Sequence, residues 1–166
     1  MEMLEHLLKR GLNPMLYPQA RSDGRVVLFP LYDFVGRRTG YLRYNPDGPK
    51  DGKNPKDGKY FTYIGEGQMG LFGLESFSNR GPVFLTGGLF KATTLHRLGY
   101  AAIHISSISP KMLKPQLRLL GRAFYALGDN DAEGKAFVRR YGGTVCPMDV
   151  DEMTDEAVHN LVRKYM

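Results

Sequence analysis

The chain has only one cysteine, Cys146, among its 166 residues. A single thiol excludes an internal disulfide framework and a zinc site built from cysteines. No apolar run approaches the length of a transmembrane helix, and the N-terminal stretch Met1–Arg10 carries acidic residues that a signal peptide lacks. These absences predict a cytoplasmic protein with no membrane partner, and the length suits one compact domain with a small appended lobe.

Acidic residues are also absent from a long interior stretch, between Glu75 and Asp129. The cations in that stretch are Arg80, Lys91, Arg97, Lys111, Lys114, Arg118 and Arg122. The net charge of the chain is +6, and acids return at Asp129 and cluster again from Asp149 to Glu156. A basic surface beside an acidic pocket suits an enzyme that holds a polyanion while a metal acts on it. The alternative is a solvated basic face without a partner.

The spacing of apolar residues changes near Gly81-Pro82, which predicts two domains, residues 1–81 and 82–166. In the first, residues 24–44 alternate as a β-hairpin does, and Tyr60–Ile64 has the composition of a further strand. The second alternates between short strands and helices, which favours a mostly parallel sheet flanked by helices. The predicted fold class is therefore α/β, preceded by a small β-rich basic lobe.

The predicted elements of the second domain follow one another closely. The strands are Val83–Thr86, Tyr100–Ser106, Arg122–Gly128 and Gly143–Pro147, and the helices are Phe90–Arg97, Pro110–Leu120, Ala132–Tyr141 and Thr154–Lys164. We expect His96 on a helix surface and His104 on a strand face, both in structural roles. Nothing pairs them at the spacing of metal ligands.

Two aspartates, Asp129 and Asp131, come directly after the apolar run Arg122–Gly128. An α/β sheet places its ligands at the carboxyl ends of its strands, which is where these two residues would lie. Two carboxylates there can share a divalent cation, usually Mg²⁺, and position a phosphate. The alternative is an Asp-rich turn that caps the next helix, and an isolated Asp-x-Asp favours neither interpretation.

Several motifs in order give the chain a family resemblance. They are Gly24–Arg37 with Gly40-Tyr41, Gly58–Phe61, Gly70–Leu74, the strand at 83–88, Asp129-Asn-Asp131 with Gly134, and Asp149-x-Asp151. The later motifs resemble the Toprim fold of bacterial-type DNA primases and topoisomerases, and the earlier ones resemble the basic lobe that precedes Toprim in the primase catalytic core. The resemblance covers roughly residues 24–166. The zinc-binding and helicase-binding parts of a full primase have no counterpart.

The resemblance implies a site that binds metal and nucleic acid in bacterial or phage-infected cytosol. Its metal ligands for Mg²⁺ or Mn²⁺ would be Asp129, Asp131 and Asp149, with Asp151 as a weaker candidate. Single-stranded DNA would lie along a basic groove between the lobes, and nucleotides and other replication proteins are further partners. The residues expected to contact nucleic acid are Arg25, Arg37, Arg38, Arg43, Lys59 and Lys91. Aromatic residues among these cations, such as Tyr41 and Tyr60–Tyr63, would stack on bases or else form cross-strand pairs.

The chain departs from the family at the first Toprim strand. Gly87 stands where the family has its catalytic glutamate, and Lys91 stands where it has a nearby aspartate. Glycine has no side chain to act as metal ligand or general base, and the lysine reverses a charge close to the expected metal site. We expect divalent affinity to fall, and the catalytic residue is unknown. Lys91 is then free to contact a phosphate directly.

Three functions remain open from the sequence. The first is a primase-like Toprim protein, of phage or mobile-element origin, that binds single-stranded DNA with weak or lost nucleotidyl-transfer activity. The second is an active DNA primase core that makes RNA primers with divalent metal, another carboxylate replacing the glutamate. The third is a non-enzymatic protein that mimics or inhibits a host primase or topoisomerase. A Toprim nuclease is a weaker alternative, since it also relies on the glutamate.

Overall fold

A computed structural model describes residues 2–51, 53–105 and 113–166 of the chain. It contains two compact units, Met1–Phe72 and Gly73–Met166. This boundary lies earlier than the change of pattern at Gly81-Pro82, because residues 73–81 bond to the second unit. The Ser76 hydroxyl, for example, donates to the backbone oxygen of Ala102 and accepts from its backbone nitrogen, both at 3.0 Å. No helix among the described residues is long and apolar enough to cross a membrane.

The first unit is built on an antiparallel sheet. A short helix, α1 (Met3–Lys9), precedes the strands β1 (Arg21–Ser22), β2 (Val27–Tyr32), β3 (Arg38–Tyr44), β4 (Tyr60–Ile64) and β5 (Leu71–Phe72). The strand order is β4-β3-β2-β5, with β1 also paired to β2. The hairpin predicted from residues 24–44 is the β2–β3 pair, and the predicted strand at Tyr60–Ile64 is β4.

Burial alternates along β2, so the sheet has one buried face and one open face. Val27, Phe29 and Leu31 are at most 3% exposed, whereas the residues between them are half-buried. A cavity of about 530 Å³ lies on the buried side, lined by residues of α1 and by Phe29. The open face consists of two rows of residues paired across the strands, Leu28/Arg43/Phe61 and Pro30/Tyr41/Tyr63.

The second unit contains a four-stranded parallel sheet, as its sequence predicts. Its strands are β6 (Val83–Thr86), β7 (Ala101–Ile105), β8 (Phe124–Gly128) and β9 (Gly143–Val145), in the order β7-β6-β8-β9. The helices are α2 (Leu89–Arg97), α3 (Leu113–Leu119), α4 (Ala132–Tyr141) and α5 (Asp155–Arg163). The expected helix start at Pro110 and the expected strand end at Ser106 lie outside the described residues.

The core of this unit lies where α2 and α5 cover one face of the sheet. Phe84 of β6 and Ala102 of β7 are fully buried there against Leu95 of α2 and Val158 and Val162 of α5. Thr154 caps α5 by accepting a hydrogen bond from the backbone nitrogen of Ala157 at 3.2 Å, as expected of a threonine at a helix N-terminus. This packing holds the strands in place, and the strands in turn position the loops that follow them.

Candidate functional site

The candidate site lies at the carboxyl ends of β6 and β8, the two central strands. The chain passes from β6 to β7 on one side and returns to β8 on the other, so the order of strands reverses at this point. Loops diverge at such a switch point and leave a crevice for a ligand. Thr86 and Leu127 are register partners, which brings Gly87 after β6 close to Asp129 after β8. The sequence also predicts Asp129 and Asp131 at the carboxyl end of this strand.

Lys91 is the central residue of this site. Its side chain rises from the first part of α2 and is 10% exposed, and its ammonium contacts the carboxylate of Asp129. The same Nζ lies 3.4 Å from Oδ1 of Asp149, so one cation is shared by two carboxylates. The two aspartate side chains are 41% and 49% exposed. The buried partner of this cluster is therefore the lysine, and water reaches the acids.

The cluster keeps Lys91 charged. Burial works against the ammonium and alone would lower its pKa, but hydrogen bonds and attraction from Asp129 and Asp149 outweigh burial. The pKa of Lys91 is consequently raised above its ordinary value. The sequence expected this lysine to be available to a phosphate, whereas in the structure its ammonium is committed to two carboxylates.

Asp131 has a different task from Asp129. Its Oδ1 accepts a hydrogen bond from the backbone nitrogen of Gly134 at 2.6 Å, which makes it the N-cap of α4. The turn also packs backbone against backbone, since a Cβ on Gly134 would lie 2.0 Å from the carbonyl oxygen of Asp129. The capping interpretation of the Asp-x-Asp motif thus describes Asp131, while Asp129 faces the lysine.

The four aspartates do not fit a resident divalent cation in this arrangement. Asp129 and Asp149 share the ammonium of Lys91, Asp131 caps a helix, and Asp151 lies in the short turn Val150–Glu152. Across the described ranges no three histidine, cysteine, aspartate or glutamate residues come together as metal ligands. The carboxylates of Asp129 and Asp149, which would hold a divalent cation, are instead paired with the ammonium of Lys91.

Gly87 leaves space beside this cluster. A Cβ built on Gly87 would meet no atom within 4 Å, and its backbone is not in the left-handed region that favours glycine. Packing therefore does not demand a glycine at this position. A Cβ on the next residue, Gly88, would lie nearest to the flexible side chain of Lys91, at 3.3 Å.

Several cations of the second unit are bound within it. Arg97 forms a bidentate ion pair with Asp155, in which Nη2 donates to Oδ1 at 2.7 Å and Nη1 donates to Oδ2 at 3.0 Å. Arg122 donates to the backbone oxygens of Phe77, Asn79 and Gly81 and so ties residues 73–81 to this unit. Lys114 donates to the backbone oxygen of Arg140 at 3.1 Å, and Lys111 lies outside the described residues. Several cations of the acid-free stretch are therefore already bonded to groups of the same unit.

The candidate cations of the first unit are more available. Arg25 and Arg38 are exposed and Lys59 is half-buried, and none of the three makes an ion pair in the part of the chain that the structure describes. Arg37 pairs with Asp33 at 2.9 Å but keeps 77% of its side chain exposed. Arg43 donates to the backbone oxygens of Lys56 and Gly58, so it fastens the loop before β4.

Two histidines of the second unit are buried, and sequence reasoning placed one of them wrongly. His96 was expected on the surface of its helix, but it is 7% exposed and bonds to the backbone oxygen of Ala102 at 2.8 Å. His104 lies on β7, as predicted, and is equally buried. Burial lowers the pKa of each imidazole to about 4. Both residues are neutral structural groups at neutral pH.

No protein-family model matches the chain, and no curated protein is similar to it. Solved structures do match over nearly its whole length. The Aquifex aeolicus primase, zinc-binding and RNA polymerase domains, is similar with a TM-score of 0.66 and 16% identity over 98% of this chain and 55% of that one. The primase fragment of the bacteriophage T7 primase–helicase has a TM-score of 0.66 and 17% identity over 96% of this chain and 72% of that one.

A third match is a DnaG primase catalytic domain solved with single-stranded DNA. Its TM-score is 0.62 at 17% identity, over 98% of this chain and 63% of that one. At such identities the likeness establishes the fold, which is that of a Toprim-containing primase catalytic core, and confirms the resemblance predicted from the motifs. The chain spans 55% of the Aquifex protein and 63% of the DNA-bound domain, so it corresponds to part of each.

Proposed function

We propose that this chain is a primase-like protein of DNA replication that binds single-stranded DNA and has weak or no nucleotidyl-transfer activity. The observation that carries the loss of transfer is the ammonium of Lys91 between the carboxylates of Asp129 and Asp149. A transfer reaction at this edge would need a divalent cation on those oxygens. The absence of a side chain at Gly87 removes the acid that the family resemblance would place beside them.

The DNA-binding part of the proposal rests on the fold and on the charges that remain free. One similar structure is a primase domain bound to single-stranded DNA. In the first unit, Arg25, Arg38 and Lys59 make no ion pair with any described residue, and the Arg37 side chain is largely exposed. Unpaired cations on a protein of net charge +6 favour a polyanionic ligand. These residues would bind the phosphates and would provide affinity without reading sequence.

The test is binding of labelled single-stranded DNA over a series of salt concentrations, with Mg²⁺ present or chelated at matched ionic strength. We expect binding that weakens steeply with salt and is the same with and without the metal. The Asp129→Asn variant should bind equally well. Asparagine is chosen because it removes the charge and keeps the shape, and Asp131 is left intact because it caps α4.

A parallel assay for primer synthesis separates this proposal from an active primase core. We expect no primer from the wild-type chain in Mg²⁺ or Mn²⁺. Primer that is made by the wild type and lost in Asp129→Asn would overturn the proposed loss of transfer. A chain with no affinity for single-stranded DNA at low salt would overturn the DNA-binding part instead.

A further inference from the structure

The open face of the first unit's sheet carries a cluster of aromatic rings. Tyr41 and Tyr63, which are paired across β3 and β4, have ring centroids 5.7 Å apart and planes inclined by 28°. Phe61 lies 6.2 Å from Tyr41 on the same face. The guanidinium of Arg43 lies over the ring of Phe61, 5.8 Å from its centroid. Three rings and one cation therefore form a single surface.

This surface is accessible. The Tyr63 residue is 53% exposed, and Tyr41 and Phe61 are half-buried, whereas residues of the opposite face such as Leu42 and Tyr44 are at most 2% exposed. Cross-strand aromatic pairing stabilises a sheet, but it does not require a ring to be left more than half in water. An exposed aromatic patch at the centre of a strand pair is more typical of a binding surface.

The charge around the patch selects the kind of ligand. None of the six residues that form the open face is acidic, and Arg43 lies among them. Arg38, at the start of β3, is exposed and makes no ion pair with described residues. Flat apolar rings beside cations complement a ligand that has exposed π-faces and negative charge, which describes unpaired bases on a phosphate backbone.

We propose that the open face is a base-stacking platform for single-stranded DNA, with Tyr41 and Tyr63 as the stacking residues. This rests on the proposed DNA-binding function and adds where the bases lie. Stacking tolerates any sequence because every base presents a π-face, so the platform gives affinity without sequence preference. A DNA duplex would not satisfy it, since paired bases are already stacked on one another.

The first test needs no variant. The wild-type chain is offered an oligothymidylate and an abasic strand of the same length and charge, at one salt concentration. Stacking of even one base should make the oligothymidylate bind about fivefold more tightly or better. The slope of affinity against salt should be the same for both strands, because their phosphates are the same.

The second test uses variants on β4. Tyr63→Leu removes the ring and should lower affinity for oligothymidylate about fivefold without changing affinity for the abasic strand. Tyr63→Phe keeps the ring and should bind like the wild type. Tyr63→Phe and the abasic strand are therefore the matched controls for the loss of the ring.

The outcomes distinguish the two proposals. Equal affinity for the two strands, or a Tyr63→Leu variant that binds like the wild type, overturns the platform and leaves DNA binding intact. No affinity for either strand overturns DNA binding and the platform together. If Tyr63→Leu fails to fold, the comparison of strands on the wild type still decides the question.

Discussion

The cations of the acid-free stretch and the candidate cations of the first unit are placed differently. In the second unit Lys91, Arg97 and Arg122 are held by carboxylates or backbone oxygens of the same unit. In the first unit Arg25 and Arg38 have no ion-pair partner among the described residues. A cation that already has a partner contributes little to a new ligand, because the existing bond must first be broken.

From the sequence, the acid-free stretch of the second unit is the expected basic surface, whereas in the structure several of its cations already have partners. The difference teaches that a cation's position in the chain says less about ligand binding than its partners do. Where the family resemblance implies a metal, this chain provides the ammonium of Lys91. Where it implies contacts to DNA, Arg25, Arg38 and Lys59 have no ion-pair partner among the described residues, whereas Arg37 and Arg43 are bound within the first unit. This division predicts effects of different sizes for variants of the two units.

Converting the second unit's cluster into a metal site should have the largest effect. The double variant Gly87→Glu with Lys91→Asp replaces one cation by two added carboxylates beside Asp129 and Asp149, and the acids repel one another without a metal. Saturating Mg²⁺ should then raise the midpoint of thermal unfolding by about 5–10 °C. The wild type should show no such shift. Gly87→Gln with Lys91→Asn is the uncharged control, and an equal shift in that control would refute the explanation.

Acid should destabilise the chain through its two buried histidines. The pKa of His96 and of His104 is lowered to about 4, chiefly by burial, so the unfolded chain binds more protons below its ordinary pKa of 6.5. Stability is therefore full above pH 6.5 and falls as pH drops toward 4, by about 1.4 kcal/mol per pH unit for each histidine once the unfolded state is protonated. Urea unfolding at a series of pH values measures this dependence.

The matched variant for the pH experiment is His104→Gln. It should be less stable at neutral pH, because it disturbs a buried position, but its stability should change less between pH 6.5 and 5. A variant whose pH dependence equals that of the wild type would show that His104 is not a source of acid sensitivity. His6 in the first unit is a useful contrast, since burial lowers its pKa but the structure leaves it partly accessible.

Removing the internal cation should have a moderate effect on stability. Lys91→Met keeps most of the apolar part of the buried side chain but removes the ammonium. The carboxylates of Asp129 and Asp149 are then left without their partner, which should lower the free energy of unfolding by about 1–2 kcal/mol. Lys135→Met changes an exposed lysine of α4 and should alter stability by less than about 0.5 kcal/mol. Chemical denaturation of both variants gives the comparison. Equal costs would mean that the Lys91 cluster is no more than a surface ion pair.

The smallest effect is expected from single arginines on DNA affinity. Arg38→Ala should weaken single-stranded DNA binding severalfold and reduce the salt slope by about 0.7, the value for one lost phosphate contact on a single strand. Arg97→Ala should leave both quantities nearly unchanged, because Arg97 is paired with Asp155. A loss of DNA affinity in Arg97→Ala, with none in Arg38→Ala, would contradict the assignment of DNA binding to the first unit.

Much of the fold was predictable because the strands are short apolar runs bounded by turn residues. The sequence placed Val83–Thr86, Tyr60–Ile64 and the helix Ala132–Tyr141 where the structure has them. Helix α2 shows the limit: residues 89–96 are all buried although they include Lys91, two threonines and His96. Lys91 finds its partners in the loops after β8 and β9 and His96 finds its partner on β7, whereas the Thr93 hydroxyl donates to Phe90 within the helix. No local pattern reveals the distant partners.

The candidate site was predictable in position but not in arrangement. That Asp129 follows a buried strand is visible in the sequence, and so is the departure at Gly87 and Lys91. That Lys91 bonds to Asp129 and Asp149 depends on three segments meeting at one edge of the sheet. The compact units divide between Phe72 and Gly73, earlier than the change of pattern at Gly81-Pro82, for a similar reason. The bonds of Ser76 and Arg122 join residues far apart in the chain.

The most direct test of the central claim is a titration of the wild-type chain with Mn²⁺, monitored by the paramagnetic signal of the free ion. If Lys91 serves as the resident cation of the Asp129–Asp149 pair, the chain should bind no Mn²⁺ at micromolar concentrations, and Lys91→Asp with Gly87→Glu should bind it. One Mn²⁺ bound tightly by the wild type, and lost in Asp129→Asn, would contradict the account and restore a metal-dependent primase centre.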